Sequence, residues 1–209
     1  MTTSLREALQ RFVDVSEAAP QSSKRNDPFA RYCIHELDKR GLVGARVGVS
    51  VPGAARDKRW DVAWSPDRKV RLAISITSLA SNLGGSVPNR LDELIGATAN
   101  AQAASPEIVL GHLLLVDQDL EDAESWTLRL RDSLNRVNGR RPPAWAIGSV
   151  EAYTLLRFTR RPNPQFIPGD DPNEFLDALV ACVRDRYPAI DGYQPHLDTS
   201  RCSPARVNE

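Results

Sequence analysis

The sequence predicts a mixed α/β layer architecture built on a central sheet. Three observations carry this reading. Valines alternate at 47, 49 and 51 ahead of a strand pair at 60–64 and 70–78, a nearly unbroken apolar run of strand length spans Ile108 to Val116, and several other segments repeat apolar residues at helical spacing.

Taken in order, Leu5 to Ala18 has apolar residues at 5, 8, 9, 12, 13 and 15, the pattern of an amphipathic helix. A polar break from Pro20 leads to Asp27-Pro28, an N-cap followed by proline at the first helical position. Phe29, Cys33, Ile34 and Leu37 then line one face until Gly41. Val43 to Val51 reads as a strand and 52–59 as a charged loop. Trp60 to Trp64 and Val70 to Ser78 form a hairpin around Ser65-Pro-Asp-Arg68, with Trp60 and Trp64 expected on one face of their strand. Leu79 to Pro88, which contains Gly84-Gly85, reads as a loop. Asn89 to Ala104 is a predicted helix with Leu91, Leu94, Ile95, Thr98 and Ala99 inward. The strand at 108–116 precedes an acidic loop, 117–125, and an arginine-rich helix from Trp126 to Val137. Ala144 to Val150 and Ala152 to Phe158 are strand candidates, Asn173 to Arg186 is a helix, and the tail from Tyr187 has no period.

The 209 residues balance 27 Lys+Arg against 27 Asp+Glu. No apolar stretch approaches the ~20 residues of a membrane span, and the N-terminus lacks a signal-peptide core, so the expectation is a cytoplasmic protein with no membrane partner. Cys33, Cys182 and Cys202 lack metal-site spacing, which indicates neither a disulfide framework nor structural zinc. The zero net charge conceals a partition. Residues 1–100 carry 15 basic and 11 acidic side chains, 101–125 carry six acidic and no basic ones, 126–161 carry eight arginines against two acids, and 162–209 carry four arginines against eight acids. The basic block is all arginine, the side chain that forks onto phosphate oxygens and guanine edges. Its bland reading is a solvated helix face with compensating neighbours.

Three strings form an ordered series: Lys58-Arg-Trp-Asp61-Val-Ala-Trp64, then Leu72-Ala-Ile-Ser75-Ile-Thr77-Ser78, then Asn89-Arg90-Leu-Asp92-Glu93-Leu-Ile-Gly96-Ala-Thr98. The series resembles the core of the XhoI-type group of type II restriction endonucleases, in the PD-(D/E)XK nuclease superfamily, over roughly residues 28–160. The resemblance implies a restriction-endonuclease-like core with a central mixed sheet flanked by helices over 1–160. Residues 161–209 would add a helix and tail packed on the same domain.

It further implies a Mg²⁺ site in which Asp61 is the first carboxylate, and a lysine two residues beyond a second acid stabilises developing charge. The chain departs from that pattern, because Ser75-Ile76-Thr77 stands where Glu-x-Lys is expected. Both replacements keep the correct pleat positions, and two hydroxyls carry no charge to hold a hard cation. Glu93, with Asp92 beside it, or Glu36 would have to supply a relocated acid; Arg71, Arg90 or Lys69 would supply the cation. The expected catalytic positions are thus Asp61, Ser75, Thr77 and Glu93, with Asp61 and Glu93 as metal ligands if Mg²⁺ is used. The DNA contacts are Asn89, Arg90, Arg129, Arg131, Arg136, Arg140 and Arg141.

Three functions follow as expectations. The favoured one is a protein that binds double-stranded DNA through a silent nuclease fold, in a bacterial restriction or defence setting. The second is an active Mg²⁺-dependent endonuclease with a relocated acid. The third is a subunit that docks on a partner protein through the acidic loop 117–125 and the proline-rich stretch 162–172. A homodimer is implied by the resemblance. His35, His112 and His196 share no short spacing and read as ordinary hydrogen-bonded histidines. Trp126 and Trp145 flank the arginine block, and helix anchoring is the first expectation for both.

Overall fold

A computed structural model describes residues 4–19, 22 and 24–190. The elements are α1 (Leu5–Ala18), α2 (Asp27–Lys39), β1 (Arg46–Val51), β2 (Lys58–Trp64), β3 (Leu72–Leu79), α3 (Leu83–Ala104), β4 (Val109–Asp117), α4 (Ala123–Arg136), β5 (Ala152–Thr159), β6 (Gln165–Phe166) and α5 (Asn173–Arg186). The strands form one six-stranded sheet in sequence order. β1, β2 and β3 make an antiparallel meander, β3, β4 and β5 run parallel, and β6 returns antiparallel on the far edge. The sheet is therefore mixed and flanked by helices on both faces.

α1 starts at Ser4 through a reciprocal capping box with Glu7. It packs with α2 and α5 on one face, where Phe12, Phe29, Leu37, Leu176 and Leu179 meet Val62, Ile74, Leu113 and Leu156. α3 and α4 cover the other face through Leu83, Val87, Leu94, Leu130 and Leu134, packed on Leu79, Leu114 and Val116. β4 is buried along its whole length, as a central parallel strand covered on both sides must be. At Gly111 an added Cβ would lie 2.7 Å from Leu179 Cδ1 and 2.8 Å from Phe175 Cε2, so glycine sets the close approach of α5. That helix packs on the same sheet, while the tail beyond Ile190 lies outside the described residues.

Several expectations change. The predicted loop 79–88 is largely helix. α3 begins at Leu83, where Asn82 caps it by accepting from the Gly85 amide, and Pro88 lies inside it. The apolar pair Leu83 and Val87, four apart and continuing to Leu94, carries this first turn into the core and outweighs the Gly-Gly and proline signals. α4 likewise starts at Ala123, three residues before the expected Trp126 and within the acidic stretch. The strand expected at 144–150 is a set of turns with a single bridge from Val150 to Asn138. Pro142 and Pro143 have no amide to give a ladder. Gln102 on α3 satisfies the backbone instead, accepting from the Gly148 amide at 2.8 Å and donating to the Ser149 carbonyl at 2.6 Å.

Trp60 and Trp64 do not share a face. Trp64 lies in the α1–α2–α5 core, whereas Trp60 lies on the α3 side with Ala63 and Ala73. β1 changes face in step, since Val47 packs with the first core and Val49 and Val51 with the second. Gly48, at φ +65°, is the residue where β1 breaks its alternation. The β1–β2 register of Val47 with Val62 and Val49 with Trp60 sets Asp61 across from Gly48. The outer half of the hairpin thus turns over as a unit, and Asp61 sits at the turning point.

Candidate functional site

That turning point opens a cleft of about 180 Å³. β2 contributes Lys58, Arg59 and Asp61, β3 contributes Ser75 and Thr77, α3 contributes Arg90 and Glu93, and the entry to α2 contributes Arg25 and Asn26. The pleat of β3 explains its share. Ile74 and Ile76 point into the α1–α2–α5 core, so Ser75 and Thr77 face the α3 side, half-buried.

The cleft exists because two side chains take over a stretch of the ladder. Pairing of β2 with β3 runs from Trp64 with Leu72 to Val62 with Ile74. Past it, the Ile76 amide donates to Asp61 Oδ2 at 2.7 Å, and the Ile76 carbonyl accepts from Asn26 Nδ2 at 2.7 Å. Both backbone groups of Ile76 are satisfied by side chains and not by the β2 backbone, which leaves the two strands free to part.

Burial pushes the Asp61 carboxyl above its usual range, against the pull of the Ile76 amide. Glu93 behaves oppositely. Its Oε1 accepts from Lys58 Nζ at 3.1 Å and its Oε2 is bonded to Arg90 Nη1. Desolvation is the largest single influence on Glu93 and acts upward, but Lys58 and Arg90 together outweigh it and hold the carboxyl below its usual range. Burial and then Arg90 lower the Arg25 guanidinium, which records how closely the cations crowd. Four cations face two carboxylates, and one of those carboxylates is driven toward its neutral form. Such a cleft is suited to an anion.

Mg²⁺ takes hard oxygen ligands in near-octahedral geometry, anchored by one or two carboxylates. Here Asp61 is bonded to an amide, Glu93 is closed by two cations, and Ser75 and Thr77 bring uncharged hydroxyls. No group of three or more His, Cys, Asp or Glu side chains suited to a metal occurs among the described residues. This donor set does not fit a Mg²⁺ clamp.

The structure thus gathers Asp61, Ser75, Thr77, Arg90 and Glu93 in one cleft and leaves the other predicted residues elsewhere. Asn89 stays on α3, its Nδ2 donating to the Gly85 carbonyl. Arg129, Arg136 and Arg141 are exposed and Arg131 is half-buried, with no ion-pair partner among the described residues. Arg140 is corrected as a surface contact. Its side chain is 1% exposed, paired with buried Glu151 at 3.0 Å, and donates to the Pro106 carbonyl. Glu151 also accepts from Arg186 at 2.6 Å and from the Leu110 amide at 2.7 Å, so these arginines tie α5 and the 138–150 segment to the sheet. Arg71 pairs with Asp67 and Glu107 and lies over the Tyr187 ring, Glu36 pairs with Lys39 and Arg40, and Lys69 lines a different groove; none reaches the cleft.

His112 is a core histidine. It stacks on Trp60, its Nε2 lies 3.0 Å from Thr98 Oγ1, and burial pushes it down to about 3. Trp126 carries Arg129 over its ring, and Trp145 carries both Arg140 and Arg186. The cleft residues that sequence reasoning missed are Arg25, Asn26, Lys58 and Arg59. Lys58 and Arg59 stood in the Trp60-Asp61 string without an assigned role, and strict alternation sends two adjacent strand residues to opposite faces.

Neither the protein-family models nor the curated proteins compared with this chain give a match. Fold and site define an α/β protein with a six-stranded mixed sheet and a basic, hydroxyl-bearing cleft where β2 and β3 part. No helix among the described residues is long and apolar enough to cross a membrane.

Proposed function

We propose that this protein binds double-stranded DNA through a restriction-endonuclease-like core whose nuclease centre is silent. The observation that carries the reading is the content of one cleft. Asp61 and the Ser75 and Thr77 positions, which the PD-(D/E)XK resemblance pairs as metal and lysine sites, converge there with four cations, and positions 75 and 77 carry hydroxyls in place of the acid and lysine that the resemblance implies. The order of a helix, an antiparallel three-strand meander, a helix and a parallel strand supports the same reading. In this account Lys58, Arg59, Arg90 and Arg25 hold a backbone phosphate against the hydroxyls of Ser75 and Thr77. Asp61 keeps β2 and β3 apart. Arg129, Arg131, Arg136 and Arg141 contact neighbouring phosphates. A restriction or defence setting and a two-fold dimer on a palindromic site accompany the proposal.

The test is a titration of a labelled duplex at several salt concentrations. Binding through phosphates makes the logarithm of affinity fall with the logarithm of salt, by about 0.9 per phosphate neutralised. Absence of salt-sensitive binding to any duplex removes the proposal.

The rival reading, an active Mg²⁺-dependent endonuclease, rests on Glu93 sharing the cleft with Asp61. It requires Glu93 to leave both Lys58 and Arg90 and turn to a metal. Plasmid nicking in Mg²⁺ or Mn²⁺ that disappears in Asp61→Ala and Glu93→Ala would establish it.

A further inference from the structure

Beside the cleft lies a second cavity of about 270 Å³, and the Lys58–Glu93 ion pair is the wall the two share. Its other sides come from the β1–β2 loop, with Ala55 and Arg56, and from α3, with Gly96, Ala97 and Asn100. The loop is tightly held where it meets the cavity. Asn100 accepts from the Ala54 amide with its carbonyl at 3.0 Å and from the Ala55 amide with Oδ1 at 2.8 Å, and its Nδ2 donates to the Arg56 carbonyl at 2.8 Å.

Gly53 lets this latch close. A Cβ there would stand 1.9 Å from Asn100 Nδ2 and 2.3 Å from the Arg56 carbonyl oxygen. The backbone that presents Arg56 is thus fixed before any ligand arrives, and preorganised groups bind with less loss of freedom. The Arg56 side chain is exposed and has no ion-pair or hydrogen-bond partner among the described residues. Gly96 lines the same cavity, and a Cβ there would meet nothing within 4 Å, so the helix surface leaves room at that position.

We infer that this cavity is a second backbone-phosphate subsite, in which Arg56 takes the phosphate next along the strand from the one held in the cleft. The inference rests on the DNA-binding reading and adds to it the direction of the strand, from the entry of α2 past Lys58 to the β1–β2 loop. Lys58 is shared by both cavities and bridges the two phosphates. Glu93 keeps Lys58 on the shared wall.

Two variants test the subsite by different routes. Arg56→Gln removes the charge and keeps the backbone latch, whereas Gly96→Leu fills the cavity and removes a glycine from a helix interior, a change that favours the helix. Each is titrated against a labelled 20-base-pair duplex over a range of salt, with thermal unfolding checked alongside. The expected result is a salt slope shallower by about 0.9 for Arg56→Gln and a loss of affinity for Gly96→Leu, with both variants as stable as the parent. If the parent binds with a steep salt slope and both variants reproduce it, the subsite is wrong and the DNA-binding reading stands. If the parent shows no salt-sensitive binding, both are wrong.

Discussion

Asp61 and Ile76 are joined by a 2.7 Å hydrogen bond from the Ile76 amide to Asp61 Oδ2, at the point where β2 and β3 stop pairing. A side chain therefore holds the place of a ladder bond, and the carboxylate that does so is buried enough to be pushed above its usual range. Asp61 is thus part of the arrangement that keeps the cleft open.

This has a consequence for pH. Because the folded chain raises the Asp61 value, the folded state takes up this proton more readily than the unfolded state. Its contribution to stability is present at acid pH and is lost as pH rises from the unfolded value through the folded one. Burial makes the ionised carboxylate less favourable in the folded chain than in the unfolded one. Asp61→Asn keeps an acceptor for the Ile76 amide without the charge, so it is expected to melt higher than the parent at pH 7. A gain of about 1 kcal/mol corresponds to ~2–4 °C for a domain of this size. The gain shrinks as pH falls and Asp61 is protonated in the parent. A lower melting temperature for Asp61→Asn at pH 7 contradicts this.

Glu151 gives a stability prediction of opposite sense. It is buried between Arg140 and Arg186 and also accepts from the Leu110 amide. Removing one member of a buried ion network leaves uncompensated charge and costs about 3–5 kcal/mol. Glu151→Ala should lower stability by that order in denaturant unfolding, whereas Arg141→Ala, an exposed change, should stay within about 0.5 kcal/mol. Equal effects would show that Glu151 does not tie α5 and the 138–150 segment to the sheet.

The proposed silent nuclease centre predicts that supercoiled plasmid stays intact with the parent protein in Mg²⁺ or Mn²⁺. Ser75→Glu combined with Thr77→Lys places an acid and a cation at the pleat positions that face the cleft, and nicking by that double variant is the outcome the proposal expects. Nicking by the parent, abolished in Asp61→Ala, contradicts the silent reading.

Much of this was legible in the chain, for reasons that differ by element. Periodicity found α1, α2, α5 and the buried β4, because each depends on an apolar stripe or run written locally. It placed Ser75 and Thr77 on one face for the same reason. The first turn of α3 was hidden by Gly84, Gly85 and Pro88, although Leu83 and Val87 already carried the helical spacing. The segment 144–150 looked apolar enough for a strand, but its backbone is satisfied by Gln102 from another element, which no local pattern records. The face change at Gly48 and Asp61 was invisible for a related reason: a lone glycine in a strand signals a break without its direction. That change is what brings Lys58 and Trp60 to the α3 side, so the cleft's cations were the hardest part to foresee. Arg140 illustrates the limit of charge counting, since a residue in the basic block is a buried strut.

The most direct test of the central claim is the salt dependence of duplex binding by the intact protein and by Arg59→Gln, which changes one cleft cation on the strand that bears Asp61. The account predicts that the intact protein loses affinity along a straight log–log line between 50 and 200 mM salt, with a slope of about −0.9 for every phosphate neutralised, and that Arg59→Gln gives a slope shallower by about 0.9. Binding that is absent or indifferent to salt, or an unchanged slope in Arg59→Gln, would contradict the claim that this cleft holds a nucleic-acid phosphate.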